Sequence, residues 1–190
     1  MFRLYSILIG YIFGCFQTSF FLGKFYKIDI RNYGSGNAGT TNVNRVLGKK
    51  AGIIVFIIDI IKSVLAYLLC KTLFKSDLAG IWAGVGVILG HDFPFFLNFK
   101  GGKGIASTIG LVLVFNWHLA FIAYVFGIAA VLISRKISVG SLVFSFSLPL
   151  IFFNCTMEIF LLFIFISTLA FWQHYLNIKR IINGNEPNFF

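Results

Sequence analysis

IASTIGLVLVFNWHLAFIAYVFGIAAVLI, residues 105–133, decides the fold, because it contains no Asp, Glu, Lys or Arg over its whole length. A helix that crosses a bilayer needs about 20 apolar residues, so the stretch is too long for one crossing and short for two. Asn116-Trp117-His118 interrupts it. We read two helices, Ile105–Phe115 and Trp117–Ile133, the first unusually short. Outward from here the apolar runs are Leu4–Gly23, Ala51–Cys70, Leu78–Leu97, Val139–Cys155 and Ile159–Leu176. The expected fold class is therefore an all-α integral membrane protein of seven transmembrane helices, with residues 1–190 as one transmembrane domain.

Composition agrees. Of 190 residues, 58% are hydrophobic and 12% charged, and the mean hydropathy is +0.90. Ordinary soluble domains carry about 25% charged residues, and a soluble domain of this size buries only about 70% of its unfolded surface. A soluble globule, a disordered chain and a nucleic-acid module are excluded. Cys15, Cys70 and Cys155 lie in or at the ends of apolar runs with no CxxC spacing, which is the usage of buried reduced thiols. Ile12-Phe13-Gly14-Cys15 faintly resembles a lipoprotein cleavage box, but Phe13 does not suit one. The first run is too long for a signal h-region and lacks a small-x-small site, so it reads as an uncleaved first helix.

The net charge of +10 is unevenly distributed. With the N-terminus outside, twelve Lys and Arg fall inside: Lys24, Lys27, Arg31, Arg45, Lys49, Lys50, Lys100, Lys103, Arg135, Lys136, Lys179 and Arg180. Three fall outside: Arg3, Lys71 and Lys75. If residues 105–133 formed one span, the bias would drop to eight against seven. The cytoplasmic preference of Lys and Arg thus favours seven spans, the N-terminus outside and the C-terminus cytoplasmic. Every polar loop of any complexity then lies on the inner face.

Three of these inner segments are chemically dense. Gly34-Ser35-Gly36-Asn37-Ala38-Gly39-Thr40-Thr41-Asn42, with Arg45 behind it, satisfies GxGxxG, but no strand precedes it and there is no βαβ unit, so the dinucleotide reading fails. Glycines still let backbone amides approach an anion closely, the small polar side chains add donors, and Arg45 adds a fork suited to phosphate. His91-Asp92-Phe93-Pro94 leads through aromatic residues to Asn98-Phe99-Lys100-Gly101-Gly102-Lys103-Gly104, which is not a Walker loop yet opens a helix. Two readings stand here: an anion site at a helix N-terminus, or an aromatic belt with snorkelling lysines. Finally, His174 and Asn177 share a helix face, followed by Arg180, Gly184 and Glu186.

Two smaller features accompany them. Ser138 and Ser141 flank Val139-Gly140, with Ser138 a candidate N-cap. Asp59 and Lys62 lie within a span at i, i+3, as a structural pair would. No His-x4-Asp, HExxH, G-x-S-x-G or zinc-type set occurs. An enzyme acting on anionic substrates and a small carrier for an organic phosphate both fit the basic, glycine-rich face. A carrier should show repeat symmetry, and none is visible.

The three ordered motifs, Gly34–Asn42, Gly90–Gly104 and His174-x-x-Asn177-Ile178-x-Arg180 with Gly184 and Glu186, closely resemble those of the bacterial acyl-phosphate:glycerol-3-phosphate acyltransferases, a seven-helix family. Departures are small: Thr40 for the usual alanine, Val139-Gly140 for Leu-Ala, and a short tail end, Asn188-Phe189-Phe190. The resemblance implies transfer of an acyl group from acyl phosphate to the sn-1 hydroxyl of glycerol 3-phosphate, giving lysophosphatidic acid and phosphate. It implies a multi-pass protein of the bacterial inner membrane, among membrane lipids. It is expected to act as a monomer, loosely associated with the enzyme that forms acyl phosphate, without metal or cofactor. On this reading Ser35, Asn37, Arg45, Lys103, His174 and Asn177 are catalytic. Gly34, Gly36, Gly39, Thr41, Asn42, Lys100, Gly101, Gly102, Gly104, Ser138, Ser141, Arg180 and Glu186 bind substrate.

Overall fold

The computed structural model describes residues 1–189. Their regular structure is entirely helical: α1 Phe2–Cys15, α2 Thr18–Phe25, α3 Thr40–Leu47, α4 Lys49–Phe74, α5 Asp77–Asp92, α6 Ile105–Phe115, α7 Trp117–Ser134, α8 Ile137–Ile151, α9 Met157–Gln173 and α10 Tyr175–Ile182. Single 3₁₀ turns lie at Ile30–Asn32 and Phe95–Leu97. The helices form two compact units, Met1–Phe115 and Asn116–Phe190.

Four elements are long and apolar enough to cross a membrane: Phe2–Phe25, Lys49–Phe74, Asp77–Leu97 and Trp117–Ser134. The pair α9 and α10, bent by 59°, makes a fifth when taken as one span. The apolar helices α6 and α8 are shorter, at 11 and 15 residues. Helix α4 has an inverted surface. Ile53, Ile57, Ile61, Leu65, Leu68 and Leu69 are exposed, whereas Asp59, Lys62, Ser63 and Tyr67 are buried. Water would reverse this arrangement; hydrocarbon favours it.

In the first unit α1 packs on α5 through small residues. A Cβ at Gly14 or Gly90 would strike the backbone of the other helix, so these glycines set how closely the helices approach. Tyr67 Oη donates to Asp77 Oδ1, and Lys71 Nζ pairs with the same carboxylate at 2.7 Å, joining the end of α4 to the start of α5.

The expected first helix, Leu4–Gly23, is broken at Phe16-Gln17. No proline or glycine marks the break. Lys62 Nζ instead reaches across from α4 to the carbonyls of Gly14 (3.3 Å) and Phe16 (3.1 Å), and Gln17 Nε2 donates to His91 O at 2.8 Å. The freed carbonyls of α1 are thus satisfied by a lysine far away in sequence, while Gln17 ties the break to the end of α5. The expected pair of Lys62 with Asp59 is present at 2.8 Å, and both residues are buried. The polar stretch between the first two apolar runs is not all loop: it contains α3, and α4 begins at Lys49, before Ala51.

The break at Asn116 falls as expected, between α6 and α7, where Asn116 Oδ1 caps α7 by accepting from Leu119 N at 3.1 Å. Ser138 is not the N-cap of α8. Lys136 holds that position, and Ser138 lies in the first turn. In this second unit α7 and α8 form a hairpin through Arg135 (φ 58°), and Phe152 stacks on Phe163 at 4.4 Å between α8 and α9.

Candidate active site

In the first unit the two glycine loops touch: Ala38 N donates to Gly101 O at 3.3 Å. The first loop is shaped from beneath by Asn42, on the first turn of α3. Its Oδ1 accepts from Ser35 N at 2.8 Å, and its Nδ2 donates to Ile30 O (3.1 Å) and Tyr33 O (3.0 Å). Asn42 is buried, and both amide hydrogens are engaged, so it orders the loop from within. Gly34 and Gly36 take positive φ, +61° and +73°, a turn that a Cβ would resist. The loop's outer surface carries exposed Ser35 and half-buried Asn37; Gly39, buried, is the N-cap of α3, on which Thr41 and Arg45 are exposed.

The second loop runs from Lys100 to Gly104 and leads into α6, as expected. Its glycines are engaged differently from a bare anion cradle. Gly101 N donates to Asp92 O (3.1 Å) and Gly102 N to His91 O (2.9 Å), so these two amides bind the end of α5. A Cβ at Gly101 would strike His91 O, and one at Gly102 would strike the His91 ring. Gly104 has φ +68°, and Thr108 N and Oγ1 donate to its carbonyl. Lys100 is exposed and Lys103 half-buried.

A cavity of about 330 Å³ opens between the loops, lined by Asp29, Arg31, Asn32, Gly36, Leu97, Asn98 and Lys100. Arg31, to which the sequence reading gave no site role, grips Asp29 through Nε (3.0 Å) and Nη2 (2.7 Å), and donates through Nη1 to Leu97 O at 3.1 Å. Hydrogen bonds from Arg31 hold the Asp29 carboxyl below the usual carboxylate range. Asp29 is the N-cap of the 3₁₀ turn that holds Arg31, an isolated turn with no apolar periodicity around it, so no sequence pattern marked the clamp. His91 was noted only as part of its motif. Its ring, against Lys62 and Gly102, is the other contribution that sequence reasoning missed.

In the second unit His174 sits, buried, at the bend between α9 and α10. Its Nδ1 lies 2.7 Å from Ala170 O. A carbonyl only accepts, so Nδ1 bears a proton, and it is Nε2 that can exchange one. Asn177 Nδ2 and Arg180 Nε each donate to Glu186 at 2.7 Å, to Oε1 and Oε2 respectively. These bonds fasten the tail to α10. Burial pushes the Glu186 carboxyl up, but the bonds from Arg180 and Asn177 outweigh it and bring it below its ordinary value. Ser141 Oγ donates to Ile137 O at 3.0 Å, within its own helix. Among the described residues, no three His, Cys, Asp or Glu side chains gather as metal ligands would.

The family described as glycerol-3-phosphate acyltransferase matches residues 4–184. The chain belongs to this family. A glycerol-3-phosphate acyltransferase of Thermoanaerobacter pseudethanolicus is 43% identical over 98% of the chain and 95% of the relative. One of Alkaliphilus metalliredigens is 39% identical over the same shares. The crystal structure of PlsY (YgiH), an integral membrane glycerol 3-phosphate acyltransferase, in its glycerol 3-phosphate form superposes with a TM-score of 0.92 at 31% identity, covering 99% of this chain and 96% of that one. Its lysophosphatidic acid form gives 0.89 at 30%, covering 99% and 95%. The acyltransferase fold, the integral membrane character and the enzyme class follow, and with them a place in phospholipid synthesis. The carrier reading falls away.

Proposed function

We propose that this acyltransferase takes its acyl group from acyl phosphate and delivers it to the sn-1 hydroxyl of glycerol 3-phosphate. The hydroxyl oxygen attacks the acyl carbon, a new ester C–O bond forms, the bond from that carbon to the phosphate oxygen breaks, and inorganic phosphate leaves with the bond's electrons. The hydroxyl proton goes to a substrate phosphate or to Nε2 of His174. The products are lysophosphatidic acid and phosphate. The observation that carries this reading is the junction of the two glycine loops through Ala38 and Gly101, with Lys100, Lys103 and Arg45 among the loops and α3. Such a surface suits two phosphorylated substrates. Acyl phosphate already has a good leaving group, so orientation and charge stabilisation supply most of what the reaction needs.

The roles follow the resemblance. Ser35, Asn37, Thr41, Gly34, Gly36 and Gly39 hold the acyl-phosphate phosphoryl group, with Asn42 ordering them. Arg45 and Lys103 hold the phosphate of glycerol 3-phosphate, and Ser141 and His174 serve the same substrate. We further propose seven spans in the bacterial inner membrane, with the N-terminus outside and these motifs cytoplasmic, supported by the lysine and arginine asymmetry. The protein acts as a monomer, loosely associated with the enzyme that makes acyl phosphate.

Purified protein in a lipid mesophase, given palmitoyl phosphate and glycerol 3-phosphate, tests the reading. Stoichiometric release of phosphate and lysophosphatidic acid is expected, sharply reduced by Lys103→Ala at low glycerol 3-phosphate and partly restored when glycerol 3-phosphate is raised. Turnover with another acyl donor and none with palmitoyl phosphate would overturn the donor assignment.

A further inference from the structure

We infer that Lys62 and His91 are positioning residues for the Gly101–Gly104 loop, resting on the reading of that loop as a glycerol 3-phosphate site. The Lys62 ammonium is buried among four acceptors: Asp59 Oδ1 (2.8 Å), His91 Nδ1 (2.8 Å), Phe16 O (3.1 Å) and Gly14 O (3.3 Å). Asp59 Oδ1 also accepts from Thr18 Oγ1 at 3.1 Å, which orients the carboxylate. Facing an ammonium, His91 Nδ1 accepts, so the ring proton sits on Nε2. That edge of the ring lies against Gly102: a Cβ there would collide with Nε2 and stand only 2.7 Å from Cδ2. Gly102 N is bonded to the carbonyl of the same histidine at 2.9 Å. The loop therefore rests on a ring whose orientation and tautomer are set by a lysine in another helix.

A buried ion pair kept only for packing is often replaced by apolar residues at little cost. A pair that aims a loop is not, because its loss lets the loop drift while the fold survives. Drift of an ångström at a binding group is enough to weaken substrate binding.

Steady-state kinetics with palmitoyl phosphate and glycerol 3-phosphate test this on Lys62→Met, His91→Ser, Gly102→Ala and the double variant His91→Ser/Gly102→Ala. Lys62→Met and His91→Ser are expected to raise KM for glycerol 3-phosphate about tenfold, with kcat and the KM for palmitoyl phosphate within about threefold. Gly102→Ala is expected to be worse. The double variant is expected to recover at least fivefold in kcat/KM over Gly102→Ala, because the smaller serine side chain in place of the imidazole admits the new methyl. Independent, multiplicative effects at 91 and 102 would overturn the proposal, as would Lys62→Met lowering kcat with KM unchanged. Should Lys62→Met not fold, the cycle at 91 and 102 still decides.

The chain has three histidines, so ¹⁵N ring labelling gives a second reading: His91 protonated on Nε2 in the parent protein. A ring protonated on Nδ1 would overturn the proposal. Lys103→Ala separates the two levels. If it leaves the KM for glycerol 3-phosphate untouched, the loop's assignment fails. If it raises that KM while Lys62→Met and His91→Ser do not, only the positioning role fails.

Discussion

Asn42 shows how much one side chain decides at the residue scale. It makes one hydrogen bond to the first glycine loop and two to the turn that leads into it, each worth about 1 kcal/mol and more when a buried partner is left unpaired. Asn42→Ala is expected to lose about 3 kcal/mol of stability and at least tenfold in kcat/KM, read by thermal unfolding in detergent and by phosphate release. Asn42→Asp keeps the acceptor for Ser35 N but sets a buried carboxylate against the carbonyls of Ile30 and Tyr33, so it should cost at least as much as Asn42→Ala. His174 tests the proton's destination. If Nε2 is the acceptor, His174→Ala lowers kcat by about 10² or more, the usual contribution of a general base, over and above any rise in the KM for glycerol 3-phosphate. Near-full kcat would hand the proton to a substrate phosphate. The residue types of the site could be read from the sequence because glycines, hydroxyls and cations crowd three short stretches. Their individual tasks could not. That Asn42 faces inward, or that Asn177 and Arg180 spend a donor on Glu186, depends on backbone geometry that spacing alone does not contain.

Among the elements, breaks with a local cause were visible and breaks with a distant cause were not. Asn116 carries its own cap, so the division of residues 105–133 appears in the sequence. The break of the first helix at Phe16-Gln17 is held by Lys62, 46 residues away, and by His91 O. Nothing within α1 announces it. The tail behaves as an element too: Phe189 N bonds Arg135 O at 2.7 Å, Lys136 Nζ reaches Asn188, and Glu186 is held by Asn177 and Arg180. Because the Glu186 carboxyl is depressed in the folded state, its contribution is full above its ordinary value of 4.5 and is lost as pH falls through the lower folded value. The melting temperature should therefore decline on acidification below about pH 4.5, and Glu186→Gln should start lower at neutral pH and flatten that decline. An unchanged acid slope in the variant would remove Glu186 as its source.

At the scale of the whole molecule, the proposed orientation is open to a direct test. With Cys15, Cys70 and Cys155 replaced by serine, single cysteines at Lys75 and at Asn185 report the side of the membrane. Position 75 should react with an impermeant maleimide in intact cells, and position 185 only after lysis. The reverse pattern would invert the topology. Helix α6 has 11 residues and α8 has 15, so at 1.5 Å per residue they are roughly 16 and 22 Å long, against a hydrocarbon core of about 30 Å. On the proposed topology the bilayer must thin beside them, at a cost of fractions of a kcal/mol for each ångström of mismatch. Turnover should then be faster in vesicles of short-chain phosphatidylcholine than of long-chain. An enzyme that makes the precursor of the membrane's own lipids would thereby sense that membrane's thickness, slowing as the lipids around it lengthen.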